Sequence, residues 1–504
     1  MHLLGLDVGT TGTKAIVFDE EGHIISSAYR EYPFLHPRPG WSDLDSERVW
    51  QAVVEAVREA AARSPEPVRA LSISSQGEAA TPVSAAGEVL APAIVSFCSR
   101  TQDLVPWWRE RIDPPQLFRI TGMPLSHIYT ILKLQWLREH QPQVFRRIHK
   151  FLLFEDFTIA KMGLPPTIDY SLAARTMAFD VVAKRWAEPV FALAGIDPAL
   201  FADPRPSGTV VGELPRKSAD LLGLPRSCLV VTGGHDQPAG ALGAGVIRPG
   251  IAIDATGTVE CLTPAFAEPH LDERMLRSGF ACYPHTAPGL YCTIAFNFTG
   301  GSLLRWYRDT LGEAERAAAQ AEGRDVYDVI LEQMPTEPTD LLVLPYFTST
   351  GTPYFDPKPT SVILGLDLGT TRGQLIRALL EGLSFEIKLN IELLADAGVE
   401  LDELRAVGGG AKSERWLQLK ADVFNRRVVS LETSEAACLG VALLAGTAAG
   451  AYRSLGEAVA ATVRPTRTYT PDPQRARFYG EQFGRYRRLY PLTEQLRQES
   501  EAQA

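Results

Sequence analysis

The sequence predicts an α/β protein built from two similar halves. Strand-like apolar runs alternate with helical stretches along the chain. An apolar strand running into a hydroxyl- and glycine-rich turn occurs near the start, at Leu3–Lys14, and again at Ile251–Thr258. The 504 residues are enough for two or more domains with large cores. The halves are expected at 1–246 and 247–470, with 471–504 forming a C-terminal helix packed on the second.

Taken in order, Leu3–Leu6 is a short apolar strand that delivers Asp7 to its end. Gly9 lets the backbone turn so that successive N–H groups converge on an anion. Thr10, Thr11 and Thr13 add hydroxyls and Lys14 a positive charge. A carboxylate beside phosphate oxygens would repel them, so Asp7 is expected to face Mg2+ or its bound water. The turn therefore points to a nucleotide phosphate, with ATP preferred; an ordinary strand and Gly-Thr turn is the alternative.

Ser46–Arg63 reads as a helix with Val49, Val53, Val57 and Ala60 on one face, followed by strand Val68–Ser74. A later strand, Cys228–Thr232, ends in Gly233-Gly234-His235-Asp236-Gln237, ahead of a helix at Pro238–Gly245. Pro204–Pro215 and Pro284–Gly289 read as surface loops. The boundary falls where Gly240–Gly245 gives way to Arg248-Pro249-Gly250 and a new strand, Ile251–Asp254. That strand enters the second turn, Ala255-Thr256-Gly257-Thr258, so the halves are expected to close on one nucleotide. Residues 363–371 repeat the first motif almost letter for letter, but a long helix from Arg372 follows, and the repeat is read as local coincidence. Pro471–Ser500 is an amphipathic, Arg-rich helix.

Composition narrows the function classes. A net charge of −10 argues against nucleic acid or an anionic membrane surface as a partner. The chain has no apolar run of about 18 residues, hence no expected membrane span. Met1-His2 enters the first strand directly, leaving no room for a signal peptide. The six cysteines are scattered without C-x-x-C spacing, which disfavours zinc or a disulfide framework and makes the cytosol the expected compartment.

Phosphoryl transfer from ATP to an alcohol needs a held phosphate chain, an aligned acceptor and a proton acceptor. Asp236 is the candidate base, placed after a strand and a Gly pair and before a helix; an N-cap role is its structural alternative. The approach to adenine is expected at Gly408-Gly409-Gly410, where a helix over 413–424 follows. Gln418, Asp422 and Asn425 fall on or near one face of it.

On Asp7–Lys14, Gly233–Gln237, Thr256–Thr258, Arg377–Gly382 and Gly408–Lys412, the chain resembles the FGGY carbohydrate kinases of the actin/hexokinase/heat-shock ATPase superfamily. Lys133-Leu-Gln-Trp-Leu137, Leu344–Phe347, Gly351–Pro353 and Tyr486–Tyr490 add to the likeness, which spans nearly the whole chain. It implies two ribonuclease H-like domains around a nucleotide and sugar cleft that closes on the sugar. It also implies ATP and Mg2+, with Asp7 at the metal and Asp236 as base. Thr10, Thr11, Lys14, Thr256, Gly257, Thr258 and Gly301 are implied at the phosphates and nucleotide cleft, and Gly409, Gly410 and Asn425 near adenine or ribose. A small sugar or polyol is the implied substrate, and the resemblance allows a homodimer.

The acceptor site departs from the pattern. Xylulokinases usually carry Gln-Met-His-Gly where this chain has Ser75-Gln76-Gly77-Glu78-Ala79. Glycerol kinases carry Gln-Arg-Glu, so Gln76 and Glu78 match and Gly77 replaces the arginine. Ser96 and Ile128 stand where those kinases have tryptophan and tyrosine. These losses are expected to empty space and remove donors, admitting a four- to six-carbon ketose or polyol, xylulose-like by preference, held by Gln76, Glu78, Asp236 and Gln237. A glycerol- or erythritol-type polyol kinase is the alternative, and an actin-like ATPase without phosphotransfer the alternative from another class. Trp41 is read as a cleft wall or a packed loop anchor. His235 is expected to point away from Asp236 as structural support.

Overall fold

The computed structural model describes residues 1–503. In the first half, β1 (His2–Val8) is buried along almost its whole length, as expected of a central strand. It pairs antiparallel with β2 (Gly12–Phe18), which pairs antiparallel with β3 (Ile24–Glu31). On its other side β1 runs parallel to β4 (Val68–Ser75). Beyond β4, the antiparallel edge strand β5 (Val210–Glu213) flanks β6 (Leu229–His235), which is parallel to β4, giving the order β5-β6-β4-β1-β2-β3. Helix α1 (Ser46–Ala62) is capped by Asp45, whose carboxylate accepts the Glu47 and Arg48 N–H groups, and buries the predicted valine face.

The second half repeats this wiring. Strands β7 (Gly250–Thr256), β8 (Glu260–Phe266) and β9 (Ala295–Asn297) form the antiparallel side. Parallel to β7 runs β10 (Leu401–Gly408), then β11 (Arg427–Leu431), closed by antiparallel β12 (Pro465–Tyr469). Both sheets thus set a β-hairpin turn, residues 9–11 and 257–259, beside the carboxyl end of a parallel strand. That end is where α/β sheets gather ligands.

Several expectations are corrected here. Gly233 and Gly234 lie within β6 rather than after it. Pro204–Pro215 contains two short strands, Asp203–Arg205 and Val210–Glu213. The supposed surface loop Pro284–Gly289 is buried through Ala287. The C-terminal helix is two helices, Pro473–Tyr486 and Leu489–Gln503, broken at Arg487-Arg488. The 363–371 repeat forms a two-stranded antiparallel pair with Leu342–Leu344 and then an exposed turn whose Asp367 accepts the Gly369 N–H. Among the described residues no helix is long and apolar enough to cross a membrane.

The halves meet through α2 (Asp236–Gly243) and α3 (Ala436–Ala448), the latter also packed on the first sheet, with Cys438, Leu439 and Ala442 against Leu3 and Ile16. Contact is at backbone distance: a Cβ on Gly440 would stand 1.9 Å from the Ala239 carbonyl oxygen. Gly440→Val must therefore push the helices apart, and we expect a loss of roughly 3 kcal/mol in unfolding stability, read by chemical denaturation.

Candidate active site

Asp7 sits near the carboxyl end of β1, where Oδ1 accepts a hydrogen bond from Ser74 Oγ at 2.8 Å. Burial raises its carboxyl above the usual range, against the pull of Ser74 and Lys14. The first turn is closed by Gly9 N–H donating to Gly12 O at 3.0 Å and buttressed by Tyr32 Oη donating to Gly9 O at 2.6 Å. Thr10 is half-buried and Thr11 exposed. Lys14 is already engaged: its Nζ donates to Glu435 Oε2 at 2.8 Å, joining the first half to the turn before α3. The phosphate role expected of Lys14 thus needs that ion pair to be exchanged.

Asp236 is the first helical residue of α2, and His235 holds the N-cap position. Asp236 is therefore not the N-cap that the alternative reading required. Its Oδ1 is buried without a hydrogen-bond partner. Burial, then the nearby charges of Asp7 and Glu78, push its carboxyl up to about 7, against the Gln237 backbone N–H and Arg175. His235 does not point away: its Nε2 stands 3.2 Å from Asp236 Oδ1, off hydrogen-bond alignment. The strand-to-helix change at this residue pair swings the carboxylate back toward the ring.

Glu78 is buried and holds a left-handed backbone, φ 63°, a conformation that strains a non-glycine residue. Three groups hold it there. Its carbonyl accepts Thr130 Oγ1 and Lys133 Nζ, each at 2.9 Å, and its Oε1 accepts Arg175 Nε at 2.5 Å. Burial lowers Lys133 to about 7. The expectation of emptied space at Gly77 is corrected. A Cβ there would meet His235 Nε2 at 3.0 Å and Arg175 Cγ at 3.2 Å, so the gap is filled and a guanidinium returns from another segment. Gln76 Nε2 donates to Gly9 O at 2.9 Å, tying this turn to the Gly9–Thr11 turn, while its Oε1 is buried without a partner. Gln237 is half-buried beside Asp236, and Ser96 is half-buried. Trp41 packs edge-on to Trp136 with the Arg100 guanidinium 4.4 Å from its ring centroid, the anchor alternative.

In the second half, Thr256 is buried and its hydroxyl is committed inward, accepting Lys420 Nζ at 2.7 Å and donating to Glu260 Oε1 at 3.2 Å. Its side chain is thus not offered to a phosphate, whereas Gly257 and Thr258 are exposed. Gly301 opens a helix and donates its N–H to Gly257 O at 2.8 Å. Gly410 packs on Thr256, which brings the glycine turn against the Gly257-Thr258 turn.

Asn425 is not brought there. It ends the helix α4 (Glu414–Phe424), exposed, at the opposite end from Gly409 and Gly410, about 16 Å of helix away. Asp422 and Gln418 are used structurally: Asp422 accepts Arg475 Nε at 2.6 Å and Gln418 Nε2 at 2.8 Å. A cavity of about 510 Å3 opens at the carboxyl ends of β10 and β11, lined by Gly408, Ala411, Lys412 and Thr433 among others, and by none of those three residues.

Sequence reasoning gave no role to Arg175, Tyr283, Glu435 or Lys420, and took Lys133 only as part of a family-like stretch. No spacing signal marks the contacts these residues make.

Residues 2–243 match the N-terminal domain, and residues 255–449 the C-terminal domain, of the FGGY family of carbohydrate kinases. The xylulose kinase of Bacillus subtilis is 27% identical over 509 residues, covering 98% of each chain. An autoinducer-2 kinase of Escherichia coli is 29% identical, covering 97% of this chain and 94% of its own. The crystal structure of xylulose kinase from Rhodospirillum rubrum superposes with a TM-score of 0.88 at 28% identity, covering 98% of this chain and 99% of that one.

Proposed function

Because the chain belongs to the FGGY family of carbohydrate kinases, ATP-dependent enzymes that phosphorylate hydroxyl groups, we propose that its acceptor is a four- to six-carbon ketose or polyol, xylulose-like by preference, and that Asp236 is the base. The observation that carries the base is the Asp236 carboxyl, 32% exposed at the start of α2 while its Oδ1 is turned inward toward His235. A hydroxyl brought to it can give up its proton as the bond to phosphorus forms. Glu78, whose guanidinium contacts fall on Oε1, and Gln237 are positioned to hold further acceptor hydroxyls. The exposed turns at Thr10-Thr11 and Gly257-Thr258 face the phosphates.

The donor set fits a hard divalent cation, since Asp7 supplies carboxylate oxygen in a buried setting that disfavours its uncompensated charge. Mg2+ held there would neutralise charge on the phosphates. The match of Gln76 and Glu78 to the glycerol kinase pattern supports a polyol acceptor as the second reading.

The test is ADP release from ATP and Mg2+ across ketoses, polyols, aldoses and glycerol. One four- to six-carbon ketose or polyol should exceed glycerol clearly; glycerol turning over as well as the best of them would overturn the reading. On that best acceptor, Glu78→Gln should lower kcat/KM by about 100-fold, the worth of a charged hydrogen bond plus an unpaired Arg175.

A further inference from the structure

Tyr283 lies in the segment matched by the C-terminal family domain, yet its side chain is fully buried in the hydrophobic core of the first half. Its Oη stands 3.1 Å from His235 Nδ1. The other ring nitrogen, Nε2, stands 3.2 Å from Asp236 Oδ1. Three polar groups from two halves of the chain therefore form one line that ends on the candidate base. We propose that Tyr283 and His235 form a hydrogen-bonded relay that positions the Asp236 carboxylate for proton uptake, so that the second half of the chain orients the base of the first.

The direction of the relay follows from which group can donate. Burial raises the Tyr283 hydroxyl, so it keeps its proton. Burial, helped by Arg175, lowers the imidazole well below its usual value, so the ring is neutral and carries one N–H. With Tyr283 O–H donating to Nδ1 rather than to the neighbouring Cys292 thiol, the N–H is left on Nε2, 3.2 Å from Oδ1. The opposite tautomer would set a lone pair against the carboxylate. Gly77 admits the ring at this place, and Ser171 Oγ fixes the backbone by accepting the His235 N–H at 2.8 Å. Asp236 is also faced by Asp7 from β1, Glu78 from the turn after β4 and Arg175, whose guanidinium stands 5.5 Å from the Tyr283 ring centroid. His235 is the neutral donor in this set, able to steer the carboxylate without adding charge. Misalignment before substrate binds is common in such contacts, which tighten in the reacting complex. His235 and Tyr283 are positioning residues here; neither is placed on the substrate.

This relay rests on Asp236 being the base. The experiment is nitrogen NMR of the full chain with labelled histidines, the His235 signals assigned by their loss in His235→Gln, together with steady-state kinetics on D-xylulose or, if that is not turned over, the best acceptor of the panel. The wild type should show His235 as the neutral Nε2–H tautomer, and Tyr283→Phe should shift it toward Nδ1–H. Tyr283→Phe should also lower kcat about fivefold to tenfold, the worth of one hydrogen bond, with KM for the acceptor within about twofold. His235→Gln, which keeps an N–H donor, should retain more kcat than His235→Leu. A wild-type Nδ1–H tautomer, or a tautomer and kcat unmoved in Tyr283→Phe, would overturn the relay. Full turnover in Asp236→Asn would instead overturn the base itself, whatever tautomer His235 shows.

Discussion

Asp236→Asn is expected to lower kcat by at least about 100-fold, the usual contribution of a general base, with acceptor KM little changed. The substitution keeps the shape of the side chain and its place at the start of α2, and removes only the capacity to take a proton. The pH dependence gives an independent check. Burial, reinforced by Asp7 and Glu78, raises this carboxyl to about 7. A base must be deprotonated, so wild-type activity should fall as pH drops below about 7. The same shift has a stability sign. Between the ordinary aspartate range near 4 and about 7, the folded protein binds a proton that the unfolded chain has released, so folding stability declines as pH rises through that window. Asn cannot ionise and escapes that loss. In the absence of ATP and Mg2+, Asp236→Asn should therefore melt higher than wild type at pH 8, with the gap narrowing steadily as pH falls toward about 4. An inactive variant less stable than wild type at pH 8 would indicate that Asp236 is a structural group rather than a base held ready at the expense of stability.

The parts of this site that could be read from the sequence are those encoded by contiguous backbone. A strand, a glycine and a run of threonines make the first turn, and the same grammar makes the second, so both turns and the two-half architecture were legible. The residues that tune them were not. Arg175 reaches Glu78 across 97 positions and Lys420 reaches Asp254 across 166, and no local pattern announces either contact. The misreadings have similar causes. Gly77 looked like an emptied site because the His235 ring and the Arg175 stem that fill it belong to other segments. Pro284–Gly289 looked like a loop by composition, yet it carries backbone into the core beside His235. Asn425 follows Gln418 and Asp422 at helical spacing, but it is the left-handed residue that caps the helix, at the end away from the glycine turn.

The Gly257-Thr258 turn, the proposed second phosphate contact, stands on a charge cluster whose removal should cost several kcal/mol of stability. Lys420, 1% exposed, places Nζ 2.7 Å from Asp254 Oδ2, 2.6 Å from Glu260 Oε1 and 2.7 Å from Thr256 Oγ1. Burial works against its charge, but the two carboxylates together outweigh burial and keep it protonated. Glu260 is pushed up to about 7, by burial first and by Asp254, with Lys420 opposing. Lys420 is on α4, directly after the glycine turn, and Thr256 begins the Gly257-Thr258 turn. The ammonium therefore pins the helix after the glycine turn to the Gly257-Thr258 turn, the two parts of the proposed nucleotide site. Lys420→Met should cost about 3–5 kcal/mol of stability, because it strands carboxylates in a dry interior. Adding Asp254→Asn and Glu260→Gln to Lys420→Met removes the stranded charge and should restore most of that loss. The nucleotide site should respond differently. In the triple variant Thr256 still lacks its Lys420 bond, so KM for ATP should stay raised while the melting temperature recovers. That split separates the two roles of the cluster. A triple variant with both values restored would mean that the cluster is needed only to keep its own charges paired, and that the turn holds its shape without it.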